Sequence, residues 1–287
     1  MNGVLIIDKE KDITSRDAVN KIQKKFNERK VGHTGTLDPI ATGVLVICVG
    51  SATKLVELLT HQDKEYIGEC TLGIKTDTLD ITGNILEERD VHKTKKEIVD
   101  VLNSFKGEYN QEVPLYSSVK INGKKLCEYA RNNIEVNLPK RLVKIKSIEL
   151  LDIKYENNKT IFKFKCKVSK GTYIRSLIKD ISDRLNTIGT MSDLRRTKVG
   201  KFDIKDAKPI DKITKDDLIN IIDVLDIKKV NIEDTNRKLI LNGSIIDNIY
   251  ETDEVLFIHN NEAIALYKEY EKDKTKLKPY KMFKGGI

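Results

Sequence analysis

Apolar residues recur along this chain with two periods, and the switches between them mark its elements. The run Gly3 to Asp8 reads as an opening strand. Thr14-Ser-Arg-Asp17 follows as a helix start, where the threonine hydroxyl and the aspartate satisfy each other's backbone N–H groups. Ala18, Val19, Ile22 and Phe26 then recur at helical spacing. The apolar run Val44 to Val49 predicts a buried strand, and Ser51 is placed to cap a short helix through Leu59. Lys64 to Gly73 alternates as a strand. Thr94-Lys-Lys-Glu97 is a second capping box, opening a helix to about Phe105.

Asn122-Gly123 signals a hairpin, with a basic helical piece around Lys124 to Arg131 after it. Strands 141–155 and 160–168 flank a second hairpin at Glu156-Asn-Asn-Lys159. In the latter strand Phe162, Phe164, Cys166 and Val168 share one face, and Lys163, Lys165 and Lys167 the other, which reads as a solvated sheet face rather than an RNA contact. Gly171-Thr-Tyr-Ile-Arg175 begins a helix to about Leu185, and 206–227 is expected to be helical. From Val230 the pattern changes to short strands, with turns at Asn242-Gly243 and Asn260-Asn261. A domain boundary is expected near Lys228. The fold class is α+β around a central mixed or antiparallel sheet, with a small β-rich C-terminal domain.

Composition narrows the function. No apolar run is long enough to span a membrane, and the N-terminus lacks a basic stretch before its apolar residues, so a cytoplasmic protein is expected. Cys48, Cys70, Cys127 and Cys166 form no C-x-x-C pair and the four histidines are scattered; free thiols and no metal site are expected. Gly50-Ser-Ala-Thr-Lys54 lacks the first glycine of a phosphate-binding loop. There is no dinucleotide fingerprint after the first strand and no serine nucleophile elbow. Chemistry without a cofactor is the expectation. The net charge of +8 points to an acidic partner, nucleic acid first. Only ten of the 52 basic residues are arginine, and Arg175, Arg184, Arg195 and Arg196 put four of them within 22 positions. Arginine offers a planar fork that lysine cannot copy, so geometry is a reason to spend it there.

The segment Val31 to Gly43, VGHTGTLDPIATG, concentrates candidate chemistry. Asp-Pro by itself is a common turn. Here Pro39 restricts Asp38 to extended geometry, and His33, Gly35 and Gly43 share the loop that feeds the strand at Val44. A carboxylate held this way can be aimed. Asp38, Tyr66, Arg175 and Lys9 are the polar candidates, each at or near a strand end.

The loop Gly32 to Gly43 closely resembles the catalytic loop of the TruB-type tRNA pseudouridine-55 synthase family. Asp63-Lys-Glu-Tyr66, Thr76-Asp-Thr-Leu-Asp80, Pro114-Leu-Tyr-Ser117, Lys170-Gly-Thr-Tyr-Ile-Arg175 and Leu194-Arg-Arg-Thr197 are similar to that family's motifs, in its order. The resemblance covers about residues 1–200. It implies a catalytic domain over 1–228, an RNA-gripping insertion at about 115–140, and a PUA-like RNA-binding domain over 229–287. It implies isomerisation of uridine 55 in the tRNA T-arm to pseudouridine by a cytoplasmic monomer that needs neither cofactor nor protein partner. Asp38 would be the nucleophile, Arg175 its ion-pair partner and Tyr66 the ring stacked on the base. Lys9, His33, Gly35, Thr36, Asp80, Tyr173 and Leu194 would contact the substrate. An RNA-folding helper without catalysis, and the same chemistry on another RNA, are the alternatives. The chain departs from the family after Lys9, where a proline and then a glycine are usual and Glu10 and Asp12 stand.

Overall fold

The computed structural model describes residues 1–232 and 234–284. Its centre is a ten-stranded mixed sheet. Eight strands run side by side in the order Lys208–Pro209, Gly3–Lys9, Thr42–Val49, Gly189–Val199, Lys64–Leu72, Lys159–Val168, Lys140–Glu156 and Gly107–Glu112. Phe202–Asp203 and Val31–His33 join it as side branches. Neighbours are antiparallel except at two places. One is the edge pair of Gly3–Lys9 with Lys208–Pro209, and the other is a short contact of Arg195 with Thr42 and Arg196 with Gly43.

The expected capping boxes form. Thr14 Oγ1 accepts from Asp17 N at 3.0 Å and opens helix Ser15–Phe26. Thr94 and Glu97 do the same for helix Lys95–Ser104. These two helices and helix Ile174–Arg184 turn their apolar stripes to one face of the sheet, around Ile7, Leu45, Ile47, Phe162 and Phe164. The hairpin of Lys140–Glu156 with Lys159–Val168 turns at Asn157 and Asn158, both at positive φ, 50° and 59°, a conformation asparagine tolerates better than most residues. The lysines of the second strand pair across the sheet, Lys163 with Glu69 at 3.4 Å and Lys165 with Glu65 at 3.3 Å.

At the end of the large sheet formed by Gly3–Lys9 and Thr42–Val49, the opposite face packs toward a second, five-stranded sheet. It comprises Lys228–Asn231, Glu254–His259, Glu262–Tyr270, Asp273–Met282 and Ile246–Asp247. Val4, Val46, Cys48 and Leu55 from one side share an apolar cluster with Leu256, Leu266 and Phe283 from the other. Asn260 and Asn261, at φ 49° and 58°, make the expected turn. Glu233 and residues 285–287 of the expected second domain lie outside the described residues.

Three local expectations are corrected. Residues 206–227 form short 3-10 turns and one four-residue helix, Ile221–Val224, rather than a long helix. Pro209 supplies no N–H, Thr214 and Asp217 close a turn on each other, and Ile219 leaves to exchange hydrogen bonds with Val4 at 2.8 and 2.9 Å. Asn242-Gly243 makes the expected turn, but it ends a helix where short strands were expected. Gly243, at φ 68°, and Ser244 donate back to Ile240 O and Leu239 O at the end of helix Asp234–Leu241. Ser51 caps nothing. The 3-10 helix Gly50–Leu55 begins at Val49, and Ser51 N donates to Asn2 Oδ1 at 2.7 Å.

Candidate active site

A pocket of about 370 Å³ opens where the loop 34–41, strand Lys64–Leu72, strand Gly189–Val199 and the start of helix Ile174–Arg184 meet. Asp38, Tyr66, Arg175, Tyr173, Leu194, Gly35 and Thr36 all line it. The sequence spreads these residues over 160 positions; the sheet brings them to one place.

Asp38 and Arg175 form its charged centre. Arg175 Nε lies 2.9 Å from Asp38 Oδ2, and Arg175 Nη2 donates to Asp38 Oδ1 at 3.1 Å. This is a two-point fork, which fixes direction as well as charge. The guanidinium is itself held from behind. Nη1 donates to Thr78 O and Nη2 to Tyr116 O, both at 2.9 Å, and Asp80 Oδ2 lies 3.8 Å from Nη1. Arg175 is buried, with a side chain 6% exposed, whereas Asp38 keeps 32% of its side chain open. The carboxylate therefore faces the pocket while its partner cannot leave.

Asp80 is not among the lining residues. It is buried and organises the turn after Thr76: its Oδ1 accepts from Thr82 N at 3.0 Å, Thr82 Oγ1 at 2.5 Å and Thr78 Oγ1 at 3.1 Å. Its place is behind Arg175, so a direct substrate contact, as expected from sequence, is replaced by support of the carbonyl that Arg175 grips.

Tyr66 sits on the inward face of its strand, where Lys64, Tyr66, Gly68 and Cys70 alternate with more exposed residues. Burial pushes its phenol above the ordinary range, and Arg196 beside it draws it partway back. Leu194, 5% exposed, adds an apolar wall. Tyr173 is anchored at its backbone by Gln111, whose side chain accepts from Tyr173 N at 2.8 Å and donates to Tyr173 O at 3.1 Å. Burial also raises the Tyr173 phenol.

Lys9 and His33 are placed differently from the sequence expectation, and neither lines the pocket. The Lys9 ammonium is fully buried and donates to Glu10 O at 2.8 Å, Ile13 O at 2.7 Å and Pro39 O at 3.2 Å. With its three N–H groups engaged and no exposure, it clamps the Asp38 loop to the first strand and offers nothing to a phosphate. Burial lowers its pKa to about 8, against the pull of Asp38. The family departure at Asp12 finds its reason here. Asp12 has φ 64°, the left-handed geometry that suits glycine, and its N–H donates to Pro39 O at 2.9 Å. Aspartate is one of the few side chains that accept that conformation. His33 is half-buried; burial, Arg16 and Arg196 push its imidazolium below the usual pKa, and the Gly35 backbone draws it partway back.

Two charged lining residues, Lys64 and Arg196, were not among the candidate site residues, although Arg196 belongs to the arginine cluster noted in the sequence. Each stands in phase with a residue that was, two positions from Tyr66 and from Leu194. A lysine or arginine in register with the apolar positions of a strand was the available signal. Lys64 Nζ donates to Thr60 O at 2.6 Å and Gln62 O at 2.7 Å, and burial lowers its pKa to about 8.

The arrangement sets a carboxylate held by a fork beside an aromatic ring and an apolar wall. Residues 23–174 match the model of the TruB family pseudouridylate synthase (N terminal domain). A tRNA pseudouridine synthase B of Alkaliphilus oremlandii is 44% identical over 281 residues, covering 94% of this chain and 91% of that protein. One from Bacillus subtilis is 40% identical over 301 residues, covering 98% and 97%. Among solved structures, a chain from an H/ACA RNP bound to a substrate RNA containing 2′-deoxyuridine has a TM-score of 0.70 at 26% identity, covering 98% of this chain and 85% of that one. A chain of a Cbf5-Nop10-Gar1 complex has a TM-score of 0.70 at 27% identity, covering 99% and 85%.

Proposed function

This chain belongs to the TruB family of pseudouridylate synthases, and from that premise we propose that it isomerises uridine 55 in the T-arm of tRNA, with Asp38 as the nucleophile. The observation that carries this is the two-point pairing of a buried Arg175 with a pocket-facing Asp38. An adjacent cation favours the ionised carboxylate, and a fork keeps its lone pairs aimed.

The reaction is an isomerisation. The N1–C1′ bond breaks, the uracil turns, C5 bonds to C1′, N1 gains a proton and C5 loses one. Asp38 forms a transient covalent bond to the nucleotide, at ribose C1′ or uracil C6. Tyr66 stacks on the ring and Leu194 closes the other side. Neither metal nor redox cofactor enters this balance.

A uridine in a folded loop has to leave its stack to reach Asp38, at a cost of a few kcal/mol. Contacts of basic side chains with phosphates offset it. Lys120, Lys124, Lys125, Arg131, Lys140 and Arg141 are all exposed on or beside the insertion, which carries a small hairpin and helix Leu126–Arg131. This supports an RNA grip at about 115–140. The β-rich segment 229–287 is proposed as a PUA-like second RNA-binding domain. A monomer that works without a protein partner is part of the proposal. Four free cysteines suit the cytoplasm, and no helix among the described residues is long and apolar enough to cross a membrane.

The test is tritium release from tRNA carrying uridine labelled at C5, with the modified position then mapped. Wild type is expected to release label from position 55, and Asp38→Asn to bind the RNA without releasing it. Unchanged turnover in Asp38→Asn rejects the nucleophile; release from another position or RNA alone rejects the substrate.

A further inference from the structure

We propose that Arg196 is a positioning residue for the reaction: its guanidinium locks the loop that presents Asp38 to the strand that presents Tyr66, fixing the spacing between carboxylate and ring. The proposal rests on the roles of Asp38 and Tyr66 given above.

Arg196 is 1% exposed and ranks among the largest fully buried side chains of the protein. Among the described residues it has no carboxylate partner. A buried cation without a counter-charge is costly, and an apolar side chain of similar volume usually serves packing as well or better. Packing is therefore not a sufficient reason for an arginine here. Its hydrogen bonds supply one. Nη2 donates to Gly35 O at 3.1 Å and Nη1 to Thr36 O at 3.4 Å, just ahead of Asp38; Nε donates to Val44 O at 2.7 Å, just beyond the loop. One rigid plane thus holds both ends of the segment that carries the nucleophile.

The backbone of Arg196 joins the same parts. On one side it pairs with Gly43, which has φ 101°; a Cβ there would lie 2.2 Å from Arg196 O, so the loop end and this strand are in direct contact. On the other side Arg196 is the cross-strand partner of Tyr66. Facing pairs on a sheet project their side chains together, and the Arg196 charge beside Tyr66 draws its phenol back from the rise that burial gives it. Among the described residues, no other side chain of the pocket bonds both to the loop before Asp38 and to the strand after it.

The mechanism by which Arg196 acts is distance. A shift of about 1 Å between reacting groups costs on the order of 100-fold in rate. Arg196→Lys keeps the charge and loses the plane; Arg196→Met loses both at similar size. Both are expected to fold, judged by circular dichroism, and to bind T-arm RNA within about threefold of wild type. In both, kcat is expected to fall about 100-fold with KM nearly unchanged. A loss of stability alone lowers the active fraction, and with it the apparent kcat at unchanged KM, so the rate is taken per active site in single turnover with the enzyme titrated by bound RNA. A kcat within threefold of wild type in Arg196→Lys overturns the proposal, as does a raised KM at unchanged kcat.

A second measurement needs no variant and no substrate. In the wild-type protein, hydrogen exchange of the Arg196 Nε–H and of the amides of Thr34 and Ala41 to Gly43 is followed by NMR. A locked loop gives matched, slow exchange; loop amides exchanging freely while Nε–H stays protected overturn the lock. Absence of any pseudouridine from wild type would reject the proposed function, and leaves this exchange test to decide Arg196 by itself.

Discussion

Arg175 meets Asp38 at two points, Nε to Oδ2 at 2.9 Å and Nη2 to Oδ1 at 3.1 Å, and its remaining N–H groups grip the carbonyls of Thr78 and Tyr116. The guanidinium thus links the Asp38 loop to two other loops. Lysine can match the charge but not this planar set of contacts. Arg175→Lys is expected to lower kcat about 100-fold while RNA affinity stays within threefold, read by single-turnover kinetics and filter binding.

Tyr66 separates stacking from proton transfer. Burial holds its phenol above its ordinary pKa, so it is neutral across the working range and the rate shows no alkaline limb from it below about pH 10. Tyr66→Ala removes a stacking surface worth about 1–3 kcal/mol and is expected to weaken capture of the flipped base about tenfold or more. Tyr66→Phe keeps the surface and is expected to keep that capture, whatever its effect on turnover. Fluorescence of a 2-aminopurine next to the target uridine reports the difference.

The buried Lys9 gives stability a pH dependence. Its pKa in the folded protein is lowered to about 8 by burial, from 10.5. Between those values the unfolded chain binds more protons than the folded one, so stability rises with pH across the window. Below about pH 8 both states carry the charge, and the full cost of its burial is present. Thermal melts of wild type against Lys9→Met from pH 7 to 10 are expected to show wild type gaining relative to the variant as pH increases. A constant difference would reject burial of the charge as the cause.

The exposed lysines of the insertion act through charge. Each phosphate contact contributes a slope of about 0.7 to 0.9 to the fall of log K with log salt. Replacing Lys124 and Lys125 by glutamine is expected to flatten that slope and weaken T-arm binding at low salt, while saturated turnover stays near wild type. Equilibrium binding at several salt concentrations measures both.

Much of this site was legible in the sequence because its residues sit in short segments with distinct local chemistry. Gly35, Asp38-Pro39 and Gly43 mark a constrained loop, and Tyr66 and Arg175 lie where a strand and a helix begin. The supporting contacts were not legible. Lys9 reads as a free cation until the fold shows three carbonyls around it. Arg196 reads only as one of four clustered arginines until its strand is placed between two others. Asp80 looks like a ligand and turns out to hold a turn. Residues 206–227 carry helical spacing, yet Val4 captures Ile219 across the chain, and long-range pairing outweighs local preference there.

The apolar cluster shared by the two sheets, with Val4 and Val46 on one side and Leu256 and Leu266 on the other, makes the C-terminal segment a foundation and not an appendage. Cutting the chain at Lys228 would strip the reverse of the catalytic half and leave it sticky. A shortened enzyme that fails would then report a collapsed scaffold, and the RNA affinity proposed for those last strands is better measured by recharging their outer surface than by amputation.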